Sequence, residues 1–207
     1  MKKCMIITSY IEGHLPDLIG NEQPGFVICA DGGYNYARKA NLVPDFLMGD
    51  FDSLTERIQP GVEIVTFPSE KDDTDTGLCL QAALDLGYRD ILIIGGIGGR
   101  FDHAIANIQL MAGAVDQVDR IAMKDRKNYC TVLKNGELQL SKKYGQHVSL
   151  FSLSDVSEGV TISGAKYPLT DYTLTRTFPL GVSNEYQDDI VRIAVQNGTL
   201  LIVLSED

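Results

Sequence analysis

The run Ile91-Leu92-Ile93-Ile94 passes into Gly95-Gly96-Ile97-Gly98-Gly99 and then into Arg100-Phe101-Asp102-His103. Consecutive aliphatic residues leave no polar face, as in the central strand of a parallel sheet covered on both sides. The glycines that follow suit a strand-to-helix turn, where backbone N–H groups can approach a phosphate at a helix N-terminus. Outward from this point the same grammar repeats. Apolar, β-rich runs at Met5–Thr8, Phe26–Ala30, Phe46–Met48 and Glu63–Phe67 are interspersed with helical patterns at Tyr34–Ala40, Asp75–Leu86 and His103–Ala114. Strands separated by helices predict a parallel α/β sheet.

Beyond the polar segment Asp116–Asn128 the pattern changes. Thr131–Leu140 alternates around Asn135-Gly136, and Ile190–Leu204 alternates around Asn197-Gly198. Asn-Gly between alternating residues predicts a hairpin turn, because both turn positions need positive φ. His147–Leu153, Val160–Ser163 and Tyr172–Thr175 read as further short strands, so the last part of the chain is expected to be a small antiparallel sandwich or barrel.

The 207 residues carry 18 Lys and Arg against 28 Asp and Glu, a net charge of −10. Phosphate surfaces repel such a chain, which argues against a general nucleic-acid or anionic-membrane partner. No run reaches the roughly 18 apolar residues of a membrane helix. The cysteines, Cys4, Cys29, Cys79 and Cys130, show no CxxC pair, and a reduced, cytoplasmic setting is expected. The acidity is uneven: residues 31–102 hold 13 acids and 6 bases, which is −7 of the −10. Such an excess is either a solvated face or a set of metal ligands.

The acids fall into clusters. In Gly49-Asp50-Phe51-Asp52-Ser53 an extended backbone would turn both carboxylates to one side and Phe51 to the other, a pairing that suits Mg²⁺; the alternative is a polar surface loop. In Lys71-Asp72-Asp73-Thr74-Asp75 a helix cap needs only one such residue, and the surplus fits a further metal carboxylate beside a phosphate-binding lysine. Arg100 suits a bidentate grip on phosphate, and Asp102 can accept a hydrogen bond from substrate. Asp31-Gly32-Gly33 closes the Phe26–Ala30 run with another acid and glycine turn. The dinucleotide fingerprint is incomplete at Gly96-x-Gly98, and no GxxxxGK[ST] is present, which excludes a P-loop nucleotide enzyme. Open parallel sheets bind ligands along the carboxyl ends of their strands, so these turns are expected to share one crevice.

In this order, Asp31-Gly32-Gly33, Gly49-Asp50-Phe51-Asp52-Ser53, Lys71-Asp72-Asp73-Thr74-Asp75 and Gly98-Gly99-Arg100-Phe101-Asp102-His103 resemble the motifs of bacterial thiamine pyrophosphokinases. Gly164-Ala165-Lys166-Tyr167-Pro168-Leu169 and Gly181-Val182-Ser183-Asn184-Glu185 resemble that family's sandwich-domain signatures. The resemblance implies an α/β chain, with an N-terminal Rossmann-like parallel-sheet domain at 1–118, a linker at 119–128 and a small antiparallel β-sandwich domain at 129–207. It implies transfer of pyrophosphate from ATP to the thiamine hydroxyethyl oxygen, giving thiamine diphosphate and AMP. Asp50, Asp52 and Asp75 would then hold Mg²⁺; Lys71, Thr74 and Arg100, with Asp31, Gly32 and Gly33, would meet ATP and its phosphates. Ser183 and Asn184 would line the thiamine pocket with Asp102, in a homodimer with composite active sites.

The chain departs from the family at the Ser9–Gly13 turn, which lacks paired glycines, and in having no Trp. Tyr186 or Tyr172 would supply an aromatic against thiamine, the alternative being core packing. Two other functions compete. One is a Mg²⁺-dependent phosphohydrolase with Asp50 as nucleophile and Asp52 as acid, which leaves the later motifs unexplained. The other is a non-enzymatic thiamine or nucleotide sensor that has kept the fold.

Overall fold

The computed structural model describes residues 2–67 and 73–207, which fall into two compact units. One comprises Met1–Leu110 and Gln117–Arg126, the other Met111–Asp116 and Lys127–Asp207.

In the first unit six strands, β1 (Lys3–Ile7), β2 (Phe26–Ala30), β3 (Phe46–Gly49), β4 (Glu63–Thr66), β5 (Asp90–Ile94) and β6 (Arg120–Lys124), form a wholly parallel sheet in the order β6-β5-β1-β2-β3-β4. The helices are α1 (Leu15–Ile19), α2 (Gly33–Lys39), α3 (Asp75–Asp85) and α4 (Phe101–Ala114), the last of which passes into the second unit at Met111. Ile91, Leu92, Ile93 and Ile94 are all at most 1% exposed, as their lack of a polar face requires. Burying a side chain of this size stabilises by about 1.5–3 kcal/mol, so this strand anchors the core. Strand order reverses beside β1: β2, β3 and β4 extend to one side, while β5 returns to the other. Such a switch point opens a crevice at the carboxyl ends of the strands on its two sides.

Residues 119–128, expected as a linker, contain β6 instead. Its buried centre is only Ile121-Ala122-Met123, flanked by charged Arg120 and Lys124, so it lacks a long apolar run. Arg120 Nε donates to Asp90 Oδ1 at 2.7 Å, which ties the charged end of β6 to β5.

The second unit is antiparallel throughout: β7 (Asn128–Ser141), β8 (His147–Ser152), β9 (Val156–Ser163), β10 (Leu169–Thr175), β11 (Gly181–Glu185) and β12 (Ile190–Ser205). β12 is its spine, paired with β7 along one edge and with β9 and then β8 along the other. The two expected hairpins are absent. Asn135-Gly136 lies inside β7 and Asn197-Gly198 inside β12, where the register shifts between Val195 and Thr199. Asn135 adopts φ 45°, and its side-chain oxygen accepts the Gly198 N–H at 2.8 Å. A bulge uses positive φ as a hairpin does, so each Asn-Gly pair marks the irregularity of one long ribbon. Among the described residues no helix is long and apolar enough to cross a membrane.

Candidate active site

The parallel register sets Ala30 beside Met48, so the residues that follow, Asp31 and Gly49-Asp50, leave the sheet side by side. Asp31, Asp50 and Asp52 each offer a carboxylate oxygen, and these oxygens all lie within 4.8 Å of one another. The two acids of the DxD converge by a different backbone from the extended one expected: Phe51 has φ 67°, and the turn, not the pleat, gathers them. Gly49 cannot be replaced cheaply, because a Cβ there would lie 2.9 Å from Asp31 Cβ at φ 155°.

Asp31 is 6% exposed. Its Oδ2 accepts from the Ser53 hydroxyl, whereas Oδ1 is buried without a hydrogen-bond partner among the described residues. A buried carboxylate oxygen left bare is costly unless a cation or donor meets it. Asp52 is exposed, and the charge of Asp50, with smaller contributions from Asp31 and Asp75, holds its carboxyl above the usual range. An all-oxygen, like-charged set with one bare buried oxygen fits a hard divalent cation such as Mg²⁺.

Asp75 lies outside this carboxylate triple but near enough to act on Asp52. It opens α3 behind Thr74, whose hydroxyl caps the helix by accepting the Gly77 N–H at 3.1 Å. Lys71, expected to meet phosphate, lies outside the described residues. Thr74 and Asp75 share a cavity of about 230 Å³ with Thr8, Gly96, Arg100 and Asn107. That cavity opens where β1 and β5 end, at the reversal of strand order. Gly95, Gly96, Gly98 and Gly99 all have positive φ there. Asn107, 4% exposed on α4, donates from Nδ2 to the Gly96 carbonyl at 2.9 Å and pins the turn. Arg100 and Asp102 are both exposed and form a bidentate ion pair that holds the Asp102 carboxyl below its ordinary range.

Gly32 and Gly33 begin α2 against the end of β1. A Cβ on Gly33 would meet the Ile7 carbonyl oxygen at 2.2 Å, so this close approach requires glycine. Gly32 shares a second cavity of about 280 Å³ with Asp31, Asn35, Lys39 and Ser53.

In the antiparallel unit, Ser183 (φ 57°) and Asn184 lie on β11. Asn184 is buried, and its amide is committed to backbone: Oδ1 accepts from Tyr167 N–H at 2.9 Å and Glu185 N–H at 3.0 Å, while Nδ2 donates to the Tyr167 carbonyl at 2.7 Å. Asn184, Tyr167, Leu150, Leu169, Leu180 and Val182 line a cavity of about 270 Å³. Ser183 is exposed and donates its N–H to Ser149 Oγ at 3.0 Å. Of the tyrosines expected against thiamine, Tyr186 donates its hydroxyl to the Ser141 carbonyl at 3.3 Å, and burial pushes its phenol up to about 12. Tyr172 is exposed on β10.

A family model described as the thiamin pyrophosphokinase catalytic domain matches residues 20–123, and one described as the thiamin pyrophosphokinase vitamin B1 binding domain matches residues 136–200. Thiamine pyrophosphokinase of Bacillus subtilis (strain 168) is 30% identical over 214 residues, covering 100% of both chains. The chain belongs to the thiamin pyrophosphokinase family. A crystal structure of thiamine pyrophosphokinase from Bacillus subtilis superposes with TM-score 0.89 at 29% identity, over 100% of both chains. One from Geobacillus thermodenitrificans gives 0.83 at 27% identity, over 99% of this chain and 98% of the other.

Within this thiamin pyrophosphokinase family chain, Asp31, Asp50, Asp52, Thr74, Asp75, Arg100 and Asp102 fall in the segment matched as catalytic, and Ser183 and Asn184 in the segment matched as B1-binding. Several polar residues of these sites do not stand out in the sequence. Asn35 and Asn107 sit inside helical patterns, and their bonds to distant loops have no local signature. Tyr167 is 61% exposed at the cavity edge; the only sign of it is its place in Gly164-Ala165-Lys166-Tyr167.

Proposed function

We propose that the chain transfers the pyrophosphoryl group of ATP to the hydroxyethyl oxygen of thiamine, giving thiamine diphosphate and AMP. The observation that carries this reading is the gathering of Asp31, Asp50 and Asp52, with one bare buried oxygen, in a chain of this family. The alcohol oxygen attacks the β-phosphorus in line, the bridge between the α- and β-phosphorus breaks, and AMP leaves with the bridging oxygen. Such a transfer depends on positioning and charge neutralisation more than on covalent catalysis. Mg²⁺ held by Asp50 and Asp52, with Asp75 or Asp31 as a further ligand, would neutralise charge on the transferring group.

Lys71, Thr74 and Arg100 are assigned to the phosphates, and Asp31, Gly32 and Gly33 to the nucleotide side. Arg100 reaches a phosphate by exchanging its fork from Asp102, and exposed pairs of this kind break at little cost. That exchange frees the Asp102 carboxylate to hold thiamine or accept its hydroxyl proton.

The same reading makes the parallel-sheet unit, which runs through β6, a Rossmann-like catalytic domain and the antiparallel unit a β-sandwich that binds thiamine beside Ser183 and Asn184. It also makes the working form a homodimer with composite sites. The exposure of Tyr167, Phe178, Leu180 and Val182 supports a covered apolar face on the sandwich. Incubation with ATP, Mg²⁺ and thiamine, with the nucleotide product identified, tests the assignment.

A further inference from the structure

Asn35, in the first turn of α2, commits its whole side-chain amide to the segment that follows Asp52. Nδ2 donates to the Ser53 carbonyl at 3.0 Å, and Oδ1 accepts from the N–H groups of Thr55 at 3.0 Å and Glu56 at 3.1 Å. Its neighbour Tyr34, fully buried, extends the grip. The phenol donates to the Arg57 carbonyl at 3.3 Å and accepts the Gln59 N–H at 2.8 Å. Two consecutive side chains thus hold residues 53–59, a stretch with neither strand nor helix of its own.

The first residue of that held stretch is Ser53, whose hydroxyl donates to Asp31 Oδ2. Asp31 in turn leads into α2, so the bonds close a ring from Asp31 through the helix to Asn35, across to Ser53 and back. The ring fixes one carboxylate oxygen and leaves the other, Oδ1, bare and buried, in a residue whose carboxylate gathers with those of Asp50 and Asp52. Like charges this close favour an opened loop, and the clamp opposes that opening.

We infer that Asn35 is a positioning residue for the acidic cluster, acting through residues 53–56 to hold the carboxylates of Asp31, Asp50 and Asp52 in divalent-cation geometry. The inference rests on reading those three acids as the cation site. Outer partners that orient metal ligands typically change affinity by about 10–100-fold when removed.

The test is direct binding of Mn²⁺ alone to the full chain, followed by electron paramagnetic resonance, with thermal unfolding recorded in parallel. Asn35→Ala is expected to weaken Mn²⁺ by at least about 10-fold while unfolding cooperatively, and to raise by a similar factor the Mg²⁺ needed for half-maximal turnover. Asn35→Gln, which keeps the neutral amide with its donor and acceptor one methylene further out, is expected to recover part of the affinity. Wild-type affinity in Asn35→Ala overturns the inference. Should Asn35→Ala not fold, the neutral Asn35→Gln decides: weakened Mn²⁺ supports the role, and unchanged Mn²⁺ overturns it. Asp50→Asn separates the two layers. If it binds Mn²⁺ as wild type does, the cation site itself is wrong and the inference falls with it. If it loses the ion while Asn35→Ala does not, only the positioning role fails.

Discussion

Arg100 closes on Asp102 through two hydrogen bonds, Nη2 to Oδ2 at 2.6 Å and Nε to Oδ1 at 3.2 Å. The guanidinium assigned to phosphate is thus engaged by a carboxylate two residues further along the chain. Both groups are exposed, so the pair forms a replaceable partner for the fork and not a structural strut.

Arg100→Ala is expected to raise the Asp102 pKa toward the ordinary carboxylate range, since the hydrogen bond from Arg100 is the main cause of its depression. For a depressed carboxylate, the contribution to stability is present above the unfolded pKa and lost as pH falls through the folded one. A ¹³C titration of Asp102 in both proteins reads this; identical curves would mean that the pair does not form in solution. The same variant should lose about 10²-fold in kcat/KM for ATP, and Arg100→Lys should recover only part, because lysine lacks the planar fork.

Asp52→Asn should lose at least about 10²-fold in turnover yet raise the thermal midpoint of the metal-free chain at neutral pH. The charge of Asp50 raises the Asp52 pKa, so folding disfavours its charged form. That penalty is present above the folded pKa and disappears as pH falls below the unfolded one. The gain in midpoint should therefore vanish in acid. Calorimetry at both pH values checks it, and a midpoint lowered at neutral pH would contradict the electrostatic account.

Gly33→Ala places a methyl group 2.2 Å from the Ile7 carbonyl oxygen, where backbone on both sides has little room to yield. Overpacking of this kind costs about 1–3 kcal/mol. Urea unfolding should register that loss; an unchanged midpoint would mean that α2 stands off from β1.

Tyr167→Leu should raise KM for thiamine by about 2–5-fold, the span of a cation–π contact at an exposed ring, and leave KM for ATP unchanged. Asn184→Ala should act in the same direction, because Asn184 holds both the N–H and the carbonyl of Tyr167. Steady-state kinetics with each substrate varied separates the two constants. Equal effects on both would remove the cavity beside Tyr167 from the thiamine side.

The parallel sheet was legible because Ile91–Ile94 carries its burial in its own composition. The acidic turns were legible as turns, since acids and glycines follow Ala30 and Met48 directly. That Asp31 joins Asp50 and Asp52 was not legible: it depends on β2 and β3 lying side by side, a pairing of residues 18 apart in the chain. The Asn-Gly pairs misled for a related reason. Positive φ is a local demand that a hairpin and a bulge meet equally well, and only the pairing of β7 with β12 decides between them. β6 escaped because its three apolar residues, with the poor strand former Ala122 at their centre, sit between charged Arg120 and Lys124 in a polar segment.

Identifying the nucleotide product tests the central claim most directly. With Mg²⁺, ATP and thiamine, ³¹P spectroscopy should show AMP and thiamine diphosphate rising in equal amounts, with no turnover when thiamine is omitted. Release of ADP or inorganic phosphate, or turnover independent of thiamine, would contradict pyrophosphoryl transfer.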